Sequence, residues 1–164
     1  MKTFKASLDN IAIILTLFVA GISVSLFISI FKTGDQLSTS PFSVIVILNI
    51  FILILFISFF ILRPTGYSIN ESVIIVNRLI LPFKINRKEI ANCSIVSKDE
   101  MSGTYRTFGN GGLFGYTGYF RNTKFGNMRW FATQRKNYVL IEKSNGKKIV
   151  ITPDIPEDFI EALK

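Results

Sequence analysis

Residues 109–118 read GNGGLFGYTG, with five glycines, three aromatic or large apolar residues and no charge. Glycine recurs every third residue at Gly109, Gly112, Gly115 and Gly118, with Gly111 between the first two. Such a stretch can cradle a phosphate, touch a membrane or turn a corner. A dinucleotide fingerprint needs G-x-G-x-x-G between a strand and a helix. Counted from Gly109 and Gly111, its last glycine falls at position 114, where Phe114 stands, and no G-K-[ST] follows. The residues after the glycines are aromatic and extended rather than helical, so nucleotide binding is set aside.

Catalysis fares no better. The chain has no histidine, and residues 101–136 contain no Asp or Glu. General acid–base and metal chemistry therefore lack their usual groups there. No catalytic residue, metal ligand or cofactor is assigned, and the chain is not expected to be an enzyme. The same stretch does hold six cations: Arg106, Arg121, Lys124, Arg129, Arg135 and Lys136. It also holds nine aromatics, among them Phe108, Phe114, Tyr116 and Tyr119. Interleaved cations and aromatics can bind single-stranded nucleic acid or sit at a membrane interface. They can equally be the core and the solvated face of a small β domain.

The elements that carry this stretch favour the membrane. Residues 11–31 and 42–62 are two uncharged runs of 21 residues. Each is about 31 Å long as a helix, the thickness of a hydrocarbon core. The first is too long for a signal-peptide core and lacks a clear cleavage site. Lys2 and Lys5 precede the first run and Arg63 follows the second, whereas the loop 32–41 carries only Lys32 and Asp35. By the positive-inside rule both termini are expected in the cytoplasm, with 32–41 outside. The expected organisation is a cytoplasmic N-terminus (1–10), transmembrane helices (11–31 and 42–62), an external loop (32–41), a linker (63–66) and a cytoplasmic domain (67–164). Gly21, Ser25 and Ser29 share one helix face, and Asn49 should lie at the depth of Ser23 or Ser25. These residues are expected to pack the two helices together. The single Cys93 excludes an internal disulfide and reads as a buried apolar residue. Nucleic acid is not an expected partner.

From residue 63 the chain carries 16 Lys and Arg against 9 Asp and Glu. Short β-branched and aromatic runs predict seven strands, at 67–69, 73–77, 82–86, 91–98, 127–133, 138–142 and 148–151. Ser144-Asn145-Gly146 is a hairpin turn. Residues 103–121 read as an irregular connection between the fourth and fifth strands. Asp154 and Glu157 suggest a capping box, and Ile155, Phe159 and Leu163 recur every four residues. A terminal helix of about ten residues follows from that stripe.

Seven antiparallel strands closed by a helix match the pleckstrin-homology (PH) architecture, with an OB-fold as the rival that leaves the extra strands unexplained. The run RTFGNGGLFGYTG from Arg106 to Gly118, WFAT at 130–133 and ITPDIPEDFIEAL near the end resemble the bacterial PH families. The nearest resemblance is to short members carrying R-x-x-G-x-G-G-x-F-G-Y-x-G. It covers about residues 66–164 and implies a PH-like barrel or sandwich serving as a non-catalytic binding or scaffolding module. The basic motif with which many eukaryotic relatives hold phosphoinositides would fall at Ile69-Asn70-Glu71-Ser72, which is acidic here. A protein partner or a second copy is the expected ligand, with anionic lipid as the alternative. The expected contact residues are Arg106, Phe108, Leu113, Phe114, Tyr116, Tyr119, Arg121, Lys124, Arg129, Arg135 and Lys136. The glycines would let the backbone turn tightly.

Overall fold

A computed structural model describes residues 1–32 and 40–163. The expected external loop lies largely outside the described residues. Two helices, α1 (Asn10–Lys32) and α2 (Ser40–Leu62), contain candidate membrane spans of mean hydropathy 2.7 and 3.2. Both are long and apolar enough to cross a bilayer, and most of their described side chains point outward. Asp9 starts α1 as its N-cap: Oδ1 accepts the Ala12 N–H at 2.8 Å, satisfying one of the free donors of the first turn. Arg63-Pro64 ends α2 and leads into the domain.

Among the described residues there are ten strands: β1 (Lys2–Lys5), β2 (Gly66–Ile69), β3 (Val73–Asn77), β4 (Phe83–Asn86), β5 (Ile90–Val96), β6 (Tyr105–Gly112), β7 (Gly115–Asn122), β8 (Gly126–Ala132), β9 (Tyr138–Lys143) and β10 (Lys148–Ile151). They form a four-stranded sheet ordered β1-β2-β3-β4 and a six-stranded sheet ordered β5-β9-β10-β8-β7-β6. Tyr67, Ile74, Val76 and Ile85 of the first sheet interleave with Phe131, Val139, Ile141 and Ile151 of the second, and Phe159 closes that cluster. The opposite face of the six-stranded sheet carries a second cluster, with Trp130, Phe120, Tyr138 and Leu140 joined by Ala12 of α1. Tyr67 ties the layers together: its buried hydroxyl donates to the Phe131 carbonyl at 2.6 Å and accepts from the Thr152 N–H at 3.1 Å.

The sandwich with its membrane-length helices agrees with the fold class read from the sequence. Four details differ. The N-terminal residues are not a plain tail: β1 pairs antiparallel with β2, Lys2 opposite Ile69 and Lys5 opposite Gly66. A four-residue strand before an apolar helix gives too short a pattern to read. The connection 103–121 is a β-hairpin, β6–β7, and not an irregular loop. One pair, β8 with β10, is parallel. The terminal helix α3 (Pro156–Glu161) is shorter than expected and begins from Ile155 without a side-chain cap. Asp154 instead receives the Ser7 N–H at 2.8 Å and the Ser7 hydroxyl at 2.7 Å, fastening the segment after β1.

The helix pair differs as well. Asn49 is buried, and its Nδ2 lies 3.4 Å from the Ser23 carbonyl. Gly21 and Ser25 face outward instead, and a Cβ on Gly21 would meet nothing within 4 Å. Ser29 is exposed and bonds back to the Ser25 carbonyl at 3.0 Å. Among the described residues, Gly21 and Ser25 therefore do not face α2.

Candidate functional site: the glycine hairpin and its surroundings

The glycine spacing has a simple origin. In the β6–β7 register Gly109 stands opposite Gly118, and Gly112 opposite Gly115. A repeat of three along the chain becomes two all-glycine rungs once the chain folds back on itself. All four have positive φ, between 110° and 149°. A Cβ on Gly118 would come 2.8 Å from Gly109 Cα, and one on Gly109 would come 2.8 Å from Gly118 Cα. Only glycine permits that twist and that approach together. Asn110 holds the tip: its Oδ1 accepts from the Gly112 and Leu113 N–H groups at 3.3 and 3.0 Å, and its Nδ2 donates to the Leu113 and Gly115 carbonyls.

That tip is docked on the chain's own apolar helices. The Phe114 ring, 8% exposed, packs edge-on against Phe56 and Phe60 of α2 at 4.8 and 5.2 Å between centroids. The Arg63 guanidinium covers Phe60 at 4.7 Å and Phe114 at 5.8 Å. The Phe114 N–H donates to the Thr16 hydroxyl of α1 at 3.0 Å. Gly112 has Leu15 against it so closely that a Cβ would lie 2.7 Å from Leu15 Cδ2.

Below the tip, the buried Tyr116 hydroxyl donates to both Asp9 carboxylate oxygens at 3.1 Å. Asp9 Oδ2 also accepts the Arg135 N–H at 2.9 Å, and the Arg135 guanidinium lies 4.8 Å from the Tyr116 ring centre. One carboxylate thus starts α1 and joins it to β7 and to the turn after β8. Burial, and then the Asp9 charge, push the Tyr116 hydroxyl up to about 12, so it stays a donor at neutral pH.

A model of the bacterial PH domain family matches residues 65–164. The chain belongs to that family. No curated protein and no solved structure matches it significantly. The matched region begins at the linker, so β1 and the docking helices lie outside the recognised PH domain even though β1 completes its four-stranded sheet.

Most of the sequence-derived contact residues of this PH domain fall into three places. Phe114 and Tyr116 are inside the joint with α1 and α2, and Leu113 is half-buried at its edge. They offer no free surface, because the tip reaches side chains that a reading of residues 67–164 alone does not include. Phe108, Tyr119 and Arg121 lie together on the outer face of the hairpin with Tyr105, which was not among the expected residues, since Tyr105 pairs with Arg121 and Phe108 with Tyr119. Phe108 is 74% exposed, Tyr105 55% and Tyr119 51%. Arg106 is exposed on the other face, folded toward Gly111. Arg129 stands across from Tyr119, its guanidinium 4.6 Å from the Phe83 ring centre. Lys124 is taken up by Glu100, whose carboxyl Lys124 and then Ser97 hold at about 2.

Arg135 and Lys136 line the third place with Lys98, Gln134, Ser7 and Asn10, an open cavity of about 390 Å³ at the first turn of α1. Cys93 is half-buried, and burial pushes its thiol up to about 12, which leaves it a poor nucleophile. Among the described residues no three of His, Cys, Asp and Glu gather as a metal site. Asp9, Thr16, Phe56, Phe60 and Asn110 were not singled out by sequence reasoning. An Asp just before an uncharged helix and an Asn inside a glycine turn were the available signals.

Proposed function

We propose that this bacterial PH domain protein is a non-catalytic binding module of the cytoplasmic membrane, with both ends and the domain in the cytoplasm. It takes a protein partner, or a second copy of itself, on the outer face of the β6–β7 hairpin. The pairing of β1 with β2 across the two spans supports the N-terminus and the domain lying on the same side. The docked tip contacts Thr16 and Phe56, each about 9 Å along its helix from the domain end, so with the spans embedded the tip passes the headgroups and reaches the edge of the hydrocarbon core. An uncharged, glycine-rich tip suits that depth.

The observation that carries the reading is the patch of Tyr105, Phe108 and Tyr119, exposed on an edge hairpin whose tip is held fast. Aromatic residues flanked by Arg are the common anchors of protein interfaces, and a rigid support lowers the ordering cost of binding. A second reading, anionic lipid, is favoured by the cavity of Lys98, Arg135 and Lys136 at the start of α1.

The test is a non-denaturing separation of the full chain extracted from native membranes. A complex larger than the single chain should collapse in Phe108→Ser/Tyr119→Ser, with its thermal unfolding unchanged. A complex that survives that change and is lost in Lys98→Gln/Arg135→Gln/Lys136→Gln, together with co-purified anionic lipid, transfers the function to the second reading. Absence of any larger species in the unaltered protein rejects the protein-partner reading.

A further inference from the structure

The two turns on either side of β3 differ in kind. Asn70-Glu71-Ser72, between β2 and β3, is polar. Leu79-Ile80-Leu81-Pro82, between β3 and β4, is apolar throughout and exposed throughout. Leu79 is 55% exposed, Ile80 53% and Leu81 70%. Leu81 also holds a left-handed φ of 58°, a conformation that favours Gly or Asn over a large side chain. A sheet turn in water is ordinarily built from Gly, Asn, Asp, Ser and Pro. Three adjacent aliphatic side chains pointing outward call for something to cover them.

Their place in the fold says what it is. In the β2–β3 register Gly66 stands opposite Asn77, and the Thr65 N–H donates to the Asn77 carbonyl at 2.9 Å, which carries the ladder into the linker. Thr65 is three residues from Leu62, the last residue of α2, a reach of about 10 Å. β3 runs toward that end of the sheet, so the turn that follows projects past the sheet edge on the side of the helices. The six-stranded sheet agrees. The Arg78 guanidinium lies 4.6 Å from the Phe131 ring centre, and Phe131 pairs with Thr117, close to the hairpin tip that docks on α2. The polar turn at Glu71 lies at the opposite end of the same strands. Cations stand only at the base of the apolar turn: Arg78 before it, Lys84 after it and Arg63 at the end of α2. Between Glu71 and Glu89 there is no carboxylate. An apolar tip over a basic collar is the arrangement of a segment lying in a membrane interface.

We infer that the Leu79–Leu81 turn inserts into the bilayer that holds α1 and α2, as a third attachment beside the two spans. The inference rests on the reading that those helices span. A protein partner fits the turn poorly, because one short turn falls far below the roughly 800 Å² a side of a stable interface. Lipid asks for no such area, since the spans already hold the turn at the membrane.

The experiment attaches an environment-sensitive nitrobenzoxadiazole label at Ile80→Cys in the full chain carrying Cys93→Ala, in phosphatidylcholine nanodiscs. Glu71→Cys and Ile50→Cys, in the middle of α2, are the reference sites. Quenching is read with aqueous iodide and with lipid carrying a doxyl group at carbon 5 of its acyl chain. Iodide quenching at Ile80→Cys should be several-fold weaker than at Glu71→Cys, and the doxyl lipid should quench at Ile80→Cys and not at Glu71→Cys. Adding Leu79→Ser/Leu81→Ser should return the label to iodide. Both leucines are exposed, so the melting temperature in detergent should stay unchanged. Equal iodide quenching at Ile80→Cys and Glu71→Cys, with Ile50→Cys quenched only from lipid, overturns the insertion and leaves the spans standing. Shielding of Ile80→Cys from both quenchers means that protein covers the turn and also overturns it, as does unchanged shielding in the double serine variant. Iodide quenching at Ile50→Cys overturns the spans and the insertion with them.

Discussion

At the scale of residues, Asp9 and Tyr116 do most to join the two halves of the molecule. The Tyr116 hydroxyl has to be protonated to donate to Asp9, and burial keeps it so. Tyr67 and Tyr138 share its situation: burial first of all pushes each of the three from 10.0 to about 12. A raised phenol pKa contributes stability that is fully present below the unfolded value and is lost as pH rises through the folded one. Stability of the full chain to denaturant should therefore hold near pH 9 and fall between pH 10 and about 12. Tyr116→Phe should flatten part of that fall and, at neutral pH, cost about 2 kcal/mol for a hydrogen bond to a charged group. An unchanged alkaline slope in Tyr116→Phe would place the sensitivity at the other two tyrosines alone.

At the scale of elements, β1 and the β6–β7 hairpin matter most, and they were the least legible in the sequence. Strands β2, β3, β4, β5, β8, β9 and β10 were readable because each buries one face and so alternates or runs apolar. The hairpin was not, because its glycines leave no alternation and their period of three is a cross-strand property, Gly109 with Gly118 and Gly112 with Gly115. The partition of the candidate residues was hidden for a related reason. Phe114 and Phe108 look alike in sequence, and only the position of α2 buries one and leaves the other exposed. β1 was hidden by its length of four residues. Its pairing along the whole of β2 gives a further expectation. Deleting residues 2–5 should bare the β2 edge, lower the melting temperature of the full chain and promote its aggregation, read by thermal scanning with light scattering. A deletion variant as stable and soluble as the intact chain would mean that β1 is dispensable to the sheet. The same pairing warns that a fragment starting at residue 63 lacks one strand of its own sandwich.

At the scale of the whole molecule, the glycine-aromatic hairpin is the joint between a PH domain and its membrane helices. It resembles neither a phosphate cradle nor a free binding loop. The domain is held at three points. Phe114 sits among Phe56, Phe60 and Arg63. Asp9 links Tyr116 and Arg135. Asp154 holds Ser7. These contacts fix how the domain sits on the two helices, and the exposed patch on the hairpin follows from them. The measurement that tests this most directly replaces Phe114 with photo-reactive benzoylphenylalanine and irradiates the full chain in native membranes. Mass spectrometry should find the adduct within the same chain, on α1 near Leu15 and Thr16 or on α2 between Phe56 and Phe60. Adducts confined to other proteins or to lipid, with none on α1 or α2, would contradict the joint.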